Sequence, residues 1–127
     1  MPGEVKTVAF YGTAPARSGI TLVSKRIGTP FTVRWIRVTF ADGCINLLSV
    51  RLYCSLDLYA PAAVEPSGVS ILRDYGQVDY LVGEGEQKFI EHSVEIAERG
   101  AFLKVWGVNA DWFDHAVDVQ IGIEIGE

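Results

Sequence analysis

Cysteine, histidine and methionine are scarce in this chain: two, two and one in 127 residues. Two cysteines and two distant histidines offer no zinc-binding spacing. If Cys44 and Cys54 lie on one strand, at about 3.3 Å per residue they stand roughly 33 Å apart. A disulfide needs Cα atoms within ~7 Å, so no intrachain bridge is expected. Cys54 then reads as a small buried hydrophobe. Long apolar runs are missing too. The uncharged stretches are too short and interrupted to span a bilayer, so no membrane partner is expected. The opening MPGEVKTVAFYG has no basic region followed by an apolar core, which predicts no secretion signal and synthesis in the cytoplasm. No glycine-rich loop leads into a helix, and no serine sits in a nucleophile elbow. Phosphate cradling and triad hydrolysis both lose their usual signatures.

What is present is alternation. Apolar residues make up 49% and charged residues 21% of the chain, a composition that suits one globular domain over residues 1–127. In residues 47–59, LLSVRLYCSLDLY, the residues Leu48, Val50, Leu52, Cys54, Leu56 and Leu58 fall on every second position. That is one apolar face of an extended chain. It predicts a long central strand with neighbours on both edges. Residues 117–125 alternate as cleanly, with Val117, Val119, Ile121, Ile123 and Ile125 inward. Residues 89–97 place Ile90, His92, Val94 and Ile96 on one face, which makes His92 a core histidine. Residues 102–108 place Leu103 and Val105 inward, with Phe102, Lys104 and Trp106 on the other face.

Residues 31–40 change phase. Phe31, Val33 and Trp35 are apolar on odd positions; Ile36, Val38 and Phe40 follow on even ones. A bulge between Trp35 and Ile36 is the simplest way to keep both sets on the core side; alternatively the strand is covered on both faces there. Asp42-Gly43 is a hairpin signal, predicting that the central strand returns antiparallel to this one. Residues 20–27 and 78–82 read as shorter strands, and residues 1–11 as an extended arm or edge strand. The loops fall at residues 12–19 (GTAPARSG), at 60–76, at Gly83-Glu84-Gly85-Glu86 and at 109–115 (NADWFDH). About eight strands and no amphipathic helix predict an all-β, antiparallel eight-stranded sandwich of jelly-roll type. An immunoglobulin-like sandwich is the alternative, without the Cys–Trp–Cys spacing that would support it.

Chemistry is thin. Asn109, Asp111 and Asp114 bring hard oxygens close together, as calcium prefers, but lack the glycine and distal glutamate of an EF-hand loop. Shaping the turn through their own backbone bonds is the simpler role. No cofactor is therefore expected, with Ca2+ as the one cation to test. Trp112 and Phe113 share that loop and suit a sugar ring or a partner subunit. Tyr75 and Tyr80, at and just after the end of the long loop, would extend such a patch. His115 beside Asp114 lacks the geometry of a base and its orienting carboxylate, because adjacent strand residues face apart. No enzyme is expected.

Charge is uneven. Residues 1–53 hold seven basic and two acidic residues, while residues 54–127 hold four and fourteen. A net charge of −5 makes nucleic acid a poor partner. The split suits a basic surface meeting an acidic surface of another copy.

The strand pattern over residues 31–125 resembles the jelly-roll proteins of virions, including phage head-decoration and tail proteins. The resemblance implies a non-enzymatic structural protein that self-assembles, as a trimer by that analogy, or joins a capsid or tail protein in a virion. The alternative is a carbohydrate-binding module using Trp112, Phe113, Tyr75 and Tyr80.

Overall fold

A computed structural model describes residues 4–61, 64–72 and 80–125. The strands are β1 (Glu4–Ala14), β2 (Gly19–Val23), β3 (Phe31–Phe40), β4 (Leu48–Ser55), β5 (Val69–Ser70), β6 (Glu86–Ile96), β7 (Phe102–Asn109) and β8 (His115–Ile125). Among the described residues there is no helix, so none is long and apolar enough to cross a membrane. One sheet has the order β1-β8-β3-β6 and the other β2-β7-β4-β5, with every neighbouring pair antiparallel. The pairs β1/β8, β2/β7, β3/β6 and β4/β5 form one long hairpin. Rolling it up brings β3 beside β8 and β4 beside β7. That is the jelly roll, and it sets the immunoglobulin-like order aside.

The alternation did its expected work in the core. Leu48, Val50, Leu52, Leu103, Val105, Val117, Val119 and Ile121 are fully buried between the sheets. Stripes with a period of two require such a pair of facing sheets to cover them.

Several expectations shift. Leu81 exchanges both backbone hydrogen bonds with Val50, at 2.9 Å each. Counted as a one-residue strand, it makes nine strands rather than eight. It is also what remains of the strand expected over 78–82, since 73–79 lie outside the described residues. Residues 12–14 continue β1 instead of opening the loop. Residues 4–14 pair with β8 along their whole length, so this stretch is an edge strand and not a free arm.

The central strand stops at Ser55, and Leu56 and Leu58 are exposed. Local bonds end it. Asp57 N donates to Ser55 Oγ at 3.0 Å, and Tyr59 N donates to Asp57 Oδ1 at 2.9 Å. Such side-chain turns compete with the ladder and pull the chain off the sheet.

Asp42-Gly43 does turn the chain, with Gly43 at φ 97°. It leads across the sandwich, however, and not into a hairpin: β3 pairs with β6 and β8, β4 with β5 and β7. The bulge falls one residue early. Val33 faces Ile123 and Trp35 faces Gly122, which leaves Arg34 as the extra residue against β8. Trp35 therefore turns outward, where its ring lies against Gly122; any side chain there would collide with it. Phe89 stacks on Trp35 with ring centroids 5.7 Å apart, and the Arg37 guanidinium lies over both rings.

Candidate functional site: the loop end of the sandwich

Rolling the hairpin brings the β1–β2, β3–β4 and β7–β8 loops to one end, and backbone bonds tie them together. Asn109 N donates to Ser18 O at 2.7 Å, Arg17 N to Asp111 O at 2.8 Å, and Ala110 N to Leu47 O at 2.9 Å. The centre of this end is Asn109, almost fully buried. Its amide donates to Phe113 O at 2.7 Å, Ala14 O at 3.1 Å and Pro15 O at 3.3 Å, while its Oδ1 accepts from Asp111 N at 2.9 Å. Only a side chain with both donors and an acceptor can satisfy this ring of partners.

The neighbouring carboxylates are engaged as well. Asp111 Oδ1 accepts from Trp112 N at 2.7 Å, and Asp111 Oδ2 lies 2.8 Å from His115 Nε2. The His115 bond, then the Trp112 amide, holds the Asp111 carboxyl below the usual range. His115 thus pairs with Asp111 and not with adjacent Asp114. Asp114 Oδ1 accepts from Ala16 N at 2.8 Å. The three residues considered for calcium each spend oxygens on shaping the loop, and no group of three His, Cys, Asp or Glu side chains suited to a metal occurs among the described residues.

The frame holds Trp112 and Phe113 out into solvent, 74% and 72% exposed. Arg17 lies 4.6 Å from the Trp112 ring centroid and donates to Ala110 O. Two features had no sequence signal beyond their residue type. Ile45 is 64% exposed and sits at φ 47°, a left-handed conformation that β-branched residues avoid. Its loop is gripped by Glu84, whose carboxylate accepts from Ile45 N at 2.7 Å and Gly43 N at 3.0 Å. The Ile45 amide, then the Gly43 amide, lowers the Glu84 pKa. The GEGE turn is thus a structural clamp.

Tyr80 is elsewhere. It stacks on Arg51, which also lies over Trp106 on the outer face of the β4 sheet. Tyr75 lies outside the described residues, as does the side chain of His92.

Lys104, on the strand face opposite Leu103 and Val105, is also kept from water. It is completely buried because the chain after β4 folds back across the sheet. Its Nζ donates to Tyr59 O at 2.7 Å, Asp57 Oδ1 at 2.8 Å and Ser67 Oγ at 3.0 Å. The Lys104 bond, then the Ser67 hydroxyl, holds the Asp57 carboxyl far below the usual range. The cluster serves to staple the loop.

These features define a jelly-roll protein whose loop end holds Trp112, Phe113 and Ile45 exposed on a hydrogen-bonded frame. No protein-family profile matches the chain, and no curated protein matches it in sequence. A chain of the cyanophage Pam1 capsid asymmetric unit is similar in structure over 98% of this chain and 87% of its own, with TM-score 0.52 and 12% identity. A chain of the T=1 particles derived from infectious bursal virus is similar over 96% of this chain, with TM-score 0.50 and 13% identity. This chain spans about a third of the infectious bursal disease virus chains, 32% and 31%. The similarity is one of fold.

Proposed function

We propose that this chain is a non-enzymatic structural protein of a virion, a jelly-roll unit that joins an assembled shell or tail. The observation that carries the reading is the shared fold over 98% of the chain with a component of a phage capsid that is itself covered to 87%. The loop end supports it. Exposed Trp112, Phe113 and Ile45 on a hydrogen-bonded frame form a preorganised apolar contact, which loses little conformational entropy when it docks. Co-sedimentation of the full chain with the shell particles of its source tests this. Binding that weakens in Trp112→Ala/Phe113→Ala supports the reading. A monodisperse monomer that ignores the shell overturns it.

The exposure of the same two rings favours one second reading, a carbohydrate-binding module. A specific hit on a glycan array, abolished by Trp112→Ala, would establish it over the first.

A further inference from the structure

The two edge strands of the first sheet differ in charge. β1 pairs with β8 alone, and β6 with β3 alone, among the described residues. Both have eleven residues, about 36 Å of extended chain. Beside β1, where the two sheets part at β2, lies a groove of about 560 Å3. Among the described residues its apolar floor includes Val8, Ile27 and Ile125, its charged lining residues are Lys6, Lys25 and Arg26, and no carboxylate lines it. The opposite edge is acidic. Residues 86–98 hold four glutamates and one lysine, and Glu86, Glu91, Glu95 and Glu98 are all exposed.

Strand direction adds a second constraint. Neighbours alternate across the order β1-β8-β3-β6, so β1 and β6 run in opposite directions. A second copy in the same orientation would therefore lay its β1 antiparallel to the first copy's β6. Unpaired edges accept such additions, and the exposed Phe89 on β6 and Val5 and Tyr11 on β1 supply apolar area at the junction.

We propose that this chain assembles head to tail, the acidic β6 edge of one copy docking on β1 and the basic groove of the next. The inference rests on the assembling role proposed above. The contact is heterologous, so it closes a ring or runs on as a filament according to the rotation between copies.

The test uses two charge-reversed full-length variants, Lys25→Glu/Arg26→Glu and Glu91→Lys/Glu95→Lys, with circular dichroism to confirm folding and native mass as the readout. Each alone should lose self-association by roughly a hundredfold, because like charges then face each other. Mixed, they should form a heteromer, since the reversed groove then meets the reversed edge. Variants that keep the wild-type mass, or folded variants whose mixture stays monomeric, overturn the proposal. A wild-type monomer that nevertheless binds the shell also overturns it, while leaving the virion reading intact.

Discussion

Lys104 Nζ has no solvent exposure and lies 2.8 Å from Asp57 Oδ1, whose side chain is 56% exposed. The aspartate is the wet end of a pair that takes a lysine out of water. Removing its charge leaves an ammonium held only by neutral partners, among them the Tyr59 and Ser67 carbonyls and the Ser67 hydroxyl, which is worse than having neither charge. Asp57→Asn should therefore lower the melting temperature well beyond Glu91→Gln on an exposed strand face. Adding Lys104→Met should recover part of the loss. Additive losses in the double variant would show that the two groups are not coupled.

Asn109 predicts a sharper isosteric effect. Asn109→Asp replaces three donated bonds with repulsion between a carboxylate and three carbonyl oxygens. The expected cost is roughly 3 kcal/mol or more by urea denaturation, from burying an unpaired charged group. Calcium and a chelator should leave the melting temperature of the unmodified chain unchanged, because Asn109, Asp111 and Asp114 already spend oxygens within the loop. A calcium-dependent rise would establish the cation site.

The core and architecture were legible because period-two alternation leaves a sheet face no other place to go. Every second residue, Val117, Val119, Ile121 and Ile123 in β8 and Leu48, Val50 and Leu52 in β4, points inward by alternation and is buried. What stayed hidden depended on chain reversals. Ser55 and Asp57 end β4 through bonds that alternation does not encode, so Leu56 and Leu58 looked like core. The burial of Lys104 was not legible because the cover over it comes from residues some forty positions away. In the site, the aromatic pair Trp112 and Phe113 was visible by type. The position of Ile45 was not, since nothing in its neighbours announces a left-handed backbone.

Acid should destabilise the fold in a defined window. Asp57, Asp111 and Glu84 all have folded pKa values below their ordinary 3.8, 3.8 and 4.5. The unfolded chain thus binds protons more readily, and stability rises with pH in this range. Their contribution is complete above those ordinary values. It is lost as pH falls through them toward the lower folded values. Melting temperature followed from about pH 7 down to about pH 3 should be flat and then fall. Glu84→Gln should make the fall shallower. An acid limb identical to the parent would mean that Glu84 does not clamp the 43–45 turn.

Ile45 sets stability against contact. A β-branched residue at φ 47° carries backbone strain, and its exposed side chain gains no burial in return. Asparagine tolerates that conformation, because its short polar side chain bonds locally. Ile45→Asn should therefore raise stability by about 1 kcal/mol. A strained, exposed apolar residue at the same loop end as Trp112 and Phe113 makes sense if its side chain is used on docking. Ile45→Asn should then weaken shell binding even as it melts higher. Unfolding by urea and co-sedimentation on the same preparation separate the two effects. Higher stability with undiminished binding would remove Ile45 from the contact and leave only the aromatic pair. A drop in stability would show that the Ile45 side chain supports the loop in a way its exposure does not reveal.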